Sequence, residues 1–187
     1  AINDGKALDD ILQHKYGFKT TLLIDATRDQ IIDALDNYVE TLTFKDSLLI
    51  YFAGHGQFDA EYDENGECIN DTGDCKTSYW LPIDATIKSK SNWISNAELL
   101  PRISSLKSTH VLVIADTCYA GGWSRGVPNH SETRDAKKYF QRLIDKQSRK
   151  IMASGGIEQV MDGGGGNHSV FAKELLSALQ ENTSYLE

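Results

Sequence analysis

Apolar residues are arranged in two patterns along the chain. Continuous or nearly continuous apolar runs predict strands, and two of them, SLLIYFA (47–53) and HVLVIAD (110–116), are typical of strands covered on both faces. Shorter strands are expected at residues 18–25, 78–84 and 150–153. Elsewhere apolar residues recur every three or four positions, which predicts helices. These helices are expected at residues 3–15, 28–39, 96–106, 135–147 and 170–179.

The helix boundaries carry recognisable signals. Gly17 follows the first helix, where a glycine commonly ends the helical conformation. Thr27 with Gln30, and Ser95 with Glu98, have the spacing of a capping box. Strands that alternate with helices predict an α/β domain with a mostly parallel central sheet and helices on both faces.

Composition limits the class of protein. The chain has 187 residues, 40% hydrophobic and 25% charged, which suits one globular domain. Its net charge of −8 argues against a nucleic-acid-binding protein. No apolar run approaches the roughly 20 residues that cross a bilayer, so we expect no membrane contact. Three cysteines and the lack of a signal peptide favour a reducing compartment, and hence a cytoplasmic location.

Charge is concentrated in two segments. Residues 124–150 hold eight basic residues against three acidic ones, which is typical of a solvated helix and linker. Residues 59–74 hold seven acids and no basic residue, which predicts an inserted loop. Within that loop, DENGECINDTGD (63–74) offers oxygen ligands for calcium, although Gly66 does not fit the EF-hand spacing. A solvated loop and a calcium site that regulates activity both stay open.

Candidate chemistry lies at two predicted strand ends. His55 stands between two glycines after the strand at 47–53, and Cys118 follows the strand at 110–116. Carboxyl ends of parallel strands share one edge, so an imidazole and a thiol are expected on adjacent loops. An ordinary thiol with a pKa near 8.5 is only about 3% thiolate at pH 7, and a neighbouring imidazole raises its reactivity. Backbone N–H groups of Gly56 and Cys118 are candidates for an oxyanion hole.

Each of these residues also has an ordinary structural explanation. A single cysteine after an apolar strand is usually a small packed side chain, and a single histidine in a turn is usually a surface residue. The two together, each beside glycines at matching strand ends, favour a catalytic dyad over two unrelated residues.

These motifs carry a family resemblance. YFAGHG (51–56) followed by ADTCYAGG (115–122) resembles the caspase-like cysteine peptidases, in the branch of metacaspases, paracaspases and bacterial caspase homologues. The resemblance extends over AINDGKAL, YWLPIDA and the segment ASGGIEQVMDGGGGNHSVFAKELLSAL. It implies a three-layer sandwich and an endopeptidase with Cys118 as nucleophile and His55 as general base and acid. No cofactor is implied for the chemistry, and no metal ligand is assigned.

The resemblance also implies a substrate preference. Asp116 precedes the nucleophile by two residues, as in metacaspases and paracaspases, and Asp4 matches the second acid of their S1 pocket. Such a pocket accepts arginine or lysine at P1, although Asp116 can also cap a turn and Asp4 can also be a helix N-cap. The segment 154–159, with Ser154, Gly155 and Gly156, is expected to pair with extended protein or peptide substrates.

By the same resemblance the single domain has three parts. Residues 1–123 match the large subunit, 124–150 a basic linker and 151–187 the small subunit, and an enzyme specific for basic residues could cut its own linker. The family's first and last strands have no counterpart here, so we expect a piece of a longer protein with regulatory domains or partner proteins. The oligomeric state stays open.

Two other classes are compatible with the pattern. The first is a catalytically silent caspase-like scaffold that binds partners. The second is a nucleotide-binding domain with Gly163–Gly166 as a phosphate loop, although the GxxxxGK[ST] motif is missing.

Overall fold

A computed structural model describes residues 1–60, 76–118, 147–155 and 167–183. Within these residues the chain forms four α-helices, six strands and a short 3-10 helix at Lys90–Asn92. The helices are α1 (Ile2–His14), α2 (Arg28–Thr41), α3 (Asn96–Ser105) and α4 (Val170–Glu181). The strands are β1 (Ser47–Ala53), β2 (His55–Ala60), β3 (Lys76–Leu81), β4 (Ile94–Ser95), β5 (His110–Asp116) and β6 (Ser148–Ala153).

The main sheet is parallel and has the order β1-β5-β6. Ser47 is opposite His110 and Ala53 is opposite Asp116, so β1 and β5 begin and end together. On the other side of β5, His110 is opposite Ser148 and Ala115 is opposite Ala153. All three strands therefore present their carboxyl ends at one edge of the sheet.

Helices cover both faces of this sheet. On one face, α2 and α3 pack against alternate residues of β1, namely Leu48, Ile50 and Phe52. On the other face, α1 and α4 pack against the intervening residues, Leu49 and Tyr51. Because side chains alternate along a strand, a continuous apolar run serves both cores at once. The predicted α/β three-layer arrangement is confirmed.

A second, antiparallel sheet, which the pattern of apolar residues did not predict, has the order β2-β3-β4. Its first strand starts at His55, immediately after the bend at Gly54, and pairs with β3 so that His55 is opposite Leu81. The rings of Phe52 and Trp80 stack with centroids 4.3 Å apart, which joins this small sheet to the main one. His55 therefore begins the small sheet directly beside the carboxyl end of β1.

Residues 18–25 were expected to form a strand, and this prediction is wrong. They contain no β-ladder, and Leu22, Leu23 and Ile24 are 41–43% exposed. Side-chain hydrogen bonds hold the segment instead, from Tyr38 to Thr21 and from Gln13 to Thr20. β-branched composition alone does not make a strand, because the backbone needs a neighbouring strand with which to pair.

The helix signals were mostly confirmed. Thr27 and Gln30 form the reciprocal capping box at the start of α2, and the side chain of Ser95 accepts from the backbone N–H of Glu98. Gly17 has φ +71° just beyond α1, a left-handed conformation that suits glycine. The helix expected at 135–147 lies outside the described residues apart from Gln147, as does nearly all of the basic linker. In the described part of the chain, no helix has the length and apolarity that crossing a membrane requires.

Candidate active site

His55 and Cys118 leave neighbouring strands at the same edge of the main sheet. β1 and β5 pair in parallel up to Ala53 and Asp116, and His55 and Cys118 each follow two residues later. The backbone N–H of Gly54 donates to the carbonyl oxygen of Asp116 at 3.3 Å, which extends this contact past the strand end. Cys118 is half-buried and His55 is exposed, so both lie at the surface of this edge.

Gly56 lies directly against the backbone of Cys118. A Cβ atom at this glycine would overlap with the carbonyl oxygen of Cys118 and with Oγ1 of Thr117. Only a residue without a side chain allows this approach, and here the requirement is steric, because the φ angle of Gly56 is not in the left-handed region. The glycine after the histidine thus brings β2 into contact with the residue predicted as nucleophile.

We call Asp4 and Asp116 the acid pair. They are connected through two consecutive residues, His168 and Ser169. Nδ1 of His168 lies 2.7 Å from Oδ1 of Asp4. The hydroxyl of Ser169 donates to Oδ2 of Asp116 at 2.6 Å. Ser169 also caps α4, since its side chain accepts from the backbone N–H of Ala172. The N-terminus of α4 therefore holds an acid from α1 and an acid from β5 beside each other.

Tyr51 is the third residue that joins the acid pair. Its hydroxyl donates to Oδ2 of Asp116 at 3.2 Å, the same oxygen that Ser169 contacts. Burial raises the pKa of Tyr51, and the negative charges of Asp116 and Asp4 raise it further. The phenol therefore stays protonated and remains a donor at physiological pH. Among the described residues, the hydroxyls of Tyr51 and Ser169 both donate to Oδ2 of Asp116. Oδ1 is left for another donor.

Asp4 is ionised although it is buried. Its side chain is only 1% exposed, and burial by itself raises the pKa of a carboxyl group. Hydrogen bonds from His168 and from the backbone N–H of Ser169 favour the charged form and lower the pKa of Asp4 against the effect of burial. The acid pair thus brings negative charge into a poorly solvated place.

Basic side chains do not neutralise this charge in the described part of the chain. Asp4 contacts the ring of His168, and neither Asp4 nor Asp116 forms an ion pair with lysine or arginine there. A desolvated acid pair of this kind attracts a cation, and a guanidinium can bond two oxygens at once.

The segment expected to pair with substrate is described only in part. The backbone N–H of Ser154 donates to the carbonyl oxygen of Ala115 at 3.0 Å, so it continues the ladder between β5 and β6. Gly155 follows immediately, and Gly156 lies outside the described residues. Pairing of this segment with substrate stays a prediction.

Sequence reasoning missed Tyr51, His168 and Ser169. Tyr51 was counted as one apolar position of a buried strand, although tyrosine brings a hydroxyl that usually finds a partner when buried. Ser169 before the predicted helix was a visible N-cap signal. Nothing in the sequence linked His168 to Asp4, because 164 positions separate them.

A separate cleft of about 650 Å³ lies between α1 and α4. Its lining includes Asp10, His14, Lys173 and His168, but neither member of the acid pair. The described residues contain no cluster of His, Cys, Asp and Glu that would hold a metal ion. The acidic segment 63–74, where a calcium site was considered, lies outside the described residues.

A parallel sheet between two helical layers, with a cysteine and a histidine at its carboxyl edge, defines the class of caspase-like cysteine peptidases. The chain belongs to the caspase-domain family, peptidase family C14, whose family model matches residues 1–187. A search of curated proteins found no match. Membership implies a hydrolase of the cysteine-peptidase type with protein substrates.

Proposed function

We propose that this domain is a cysteine endopeptidase that cleaves after arginine or lysine through a dyad of Cys118 and His55. Membership of the caspase-domain family supports the peptidase assignment. The observation that carries the proposal is the contact of Gly56 with the backbone of Cys118, because it holds the histidine-bearing strand against the cysteine. Proton transfer needs such neighbours on adjacent elements.

The proposed reaction has two stages. The thiol of Cys118 gives its proton to His55 as the sulfur attacks the scissile carbonyl, and backbone N–H groups of Gly56 and Cys118 stabilise the oxyanion. His55 then protonates the departing amine, the C–N bond breaks and an acyl-enzyme remains. Water, deprotonated by His55, hydrolyses the thioester and restores the thiol.

The preference for a basic P1 residue is supported by the charge of the acid pair. Both side chains are at least nine-tenths buried, and Oδ1 of Asp116 accepts no hydrogen bond within the described residues. An incoming guanidinium would replace lost solvation with charge-assisted hydrogen bonds. A P1 aspartate would meet two like charges and be rejected.

A substrate panel tests the function and its specificity. Fluorogenic peptides that differ only at P1 are assayed with wild type and with Cys118→Ala, with and without calcium. We expect turnover of Arg and Lys peptides, none of Asp peptides, and an inactive variant. Preference for aspartate would contradict the role of the acid pair, whereas activity of Cys118→Ala would contradict the dyad.

We also propose that the enzyme cuts its own basic linker. The pairing of β6 limits the part of the linker in which we expect the cleavage site. Arg149 and Lys150 lie in β6, paired with Val111 and Leu112 of β5. A segment that is paired in the sheet cannot enter an active site as an extended substrate, so cleavage is expected after basic residues between Arg125 and Lys146. Mass spectrometry of wild type after prolonged activating incubation would identify the cut, and an intact chain would argue against self-processing.

The main alternative is a caspase-like scaffold that has no catalytic activity and binds partners. It predicts that an arginine-based electrophile fails to label Cys118. A thiol adduct on wild type, absent from Cys118→Ala, would exclude it.

A further inference from the structure

We infer that His168 is a positioning residue for Asp4, and that it sets how strongly the site selects a basic P1 side chain. The inference rests on the proposed role of the acid pair and adds a residue that does not itself contact the substrate. His168 would act through the carboxylate to which it is bonded.

The hydrogen bond has a defined direction. Because the carboxylate of Asp4 is ionised, it can only accept, so Nδ1 of His168 carries the proton and donates at 2.7 Å. This bond fixes Oδ1 of Asp4. A carboxylate held at one oxygen keeps one rotamer, and its charge stays in one place.

Asp4 needs this support because of its surroundings. It is almost fully buried, and the charges of Asp4 and Asp116 both act on the hydroxyl of Tyr51, so the two carboxylates share one buried neighbourhood. A second carboxylate nearby favours protonation of one member of a pair or its rotation away. The donor from His168 opposes both outcomes, so both charges remain available to a cationic substrate.

The position of His168 is itself fixed by the packing of two helices. Immediately before it, the carbonyl of Asn167 accepts from the side chain of Asn3 at 3.4 Å. Immediately after it, Ser169 caps α4 and bonds Asp116. The imidazole is 31% exposed, so its outer side meets solvent while Nδ1 points to a buried oxygen.

Two substitutions of His168 separate hydrogen bonding from packing. Asn places an amide donor near the position of Nδ1, whereas Leu keeps much of the volume without a donor. For an Arg peptide we expect His168→Leu to raise KM about tenfold with kcat changed by less than about twofold, and His168→Asn to stay within about threefold of wild type.

A matched control comes from the same helix as Asp4. His14 and Asp10 form a similar pair, 3.1 Å apart, but both side chains are 77% exposed. His14→Leu should leave KM and kcat unchanged for every P1 residue. Equal losses in His14→Leu and His168→Leu would overturn the inference, since they would report a general effect of removing histidine.

A double-variant cycle supplies the decisive readout. In an Asp4→Asn background, His168→Leu should have no further effect on KM, because the charge that it positions has been removed. Additive effects would overturn the role of His168 while leaving the proposed specificity intact. A wild-type enzyme without any Arg or Lys preference would contradict both, and thermal unfolding of each variant checks that it is folded.

Discussion

The two ends of β5 use polar groups in opposite ways. At its amino end, the guanidinium of Arg149 donates to the carbonyl oxygens of Leu106, Thr109 and Ser148 at 2.7–3.2 Å. At its carboxyl end, Asp116 and the nearby Asp4 are held by hydroxyl and imidazole groups, with no arginine or lysine partner among the described residues.

This difference separates a structural site from a candidate functional one. The cation at the amino end is matched by backbone oxygens of the chain itself, including Leu106 at the C-terminal end of α3, where the helix dipole is negative. The anions at the carboxyl end have no lysine or arginine partner among the described residues, which supports their proposed role in binding a basic substrate.

The largest expected effect comes from removing charge at the carboxyl end. Asp116→Asn keeps the size of the side chain and lowers the attraction for a cationic P1 residue. We expect kcat/KM for Arg peptides to fall by about 10²–10³-fold, with little change for the weak turnover of uncharged peptides. A uniform loss over all P1 residues, measured with the same panel, would show that Asp116 serves the fold instead.

Gly56→Ala tests the contact between β2 and the cysteine. The new methyl group cannot fit against the carbonyl of Cys118, so the cysteine or the strand must move. A displacement near 1 Å costs catalysis about 100-fold, and this loss should appear in kcat for all substrates.

Gly17→Ala is the matched control for Gly56→Ala. Gly17 has a left-handed φ but no atom within 4 Å of the added Cβ. This variant should lose about 1–2 kcal/mol of stability with kcat unchanged. Equal activity of the Gly56→Ala variant and wild type would show that the contact does not matter for catalysis.

At the amino end of β5, removal of a charged group should affect stability alone. Arg149→Met keeps the aliphatic stem and removes the donors to three carbonyl oxygens. We expect the free energy of unfolding to fall by about 1–3 kcal/mol in urea titrations. The kcat/KM of the folded variant should equal that of wild type, and a selective loss for Arg peptides would contradict the division between the two ends.

Tyr51→Phe gives the smallest effect and one that depends on pH. Near neutral pH, loss of the hydroxyl donor to Asp116 should cost about 1–2 kcal/mol. The folded state raises the pKa of Tyr51 above its ordinary value of 10.0, so the unfolded chain ionises first as the pH rises. Wild type should therefore lose stability above pH 10 more steeply than the variant. Parallel stability curves between pH 9 and 11 would contradict this assignment.

Local patterns predicted much of the fold. Each apolar run at 47–53 and 110–116 serves two cores, and the bounds of β1 and β5 agree with it. The strand expected at 18–25 failed because pairing depends on distant neighbours that composition does not reveal. β2 was missed because the glycines around His55 suggested a turn, whereas Gly56 fits inside a strand that touches Cys118.

The candidate site was predictable only where a residue follows a strand. His55, Asp116 and Cys118 are at or beyond strand ends, so their shared edge follows from the topology of parallel strands. Asp4 was assigned through a family resemblance alone. His168 lies beside Asp4 only because α1 packs against α4, and a contact over 164 positions leaves no local pattern.

The connection of Asp4 to His168 has a consequence for biosynthesis. Asp4 precedes both His55 and Cys118 along the chain, whereas its histidine partner follows both. A nascent chain that has emerged only as far as Cys118 already has thiol and imidazole but not the finished recognition site. If the proposed specificity holds, a chain that ends before His168 lacks full preference for a basic P1 residue.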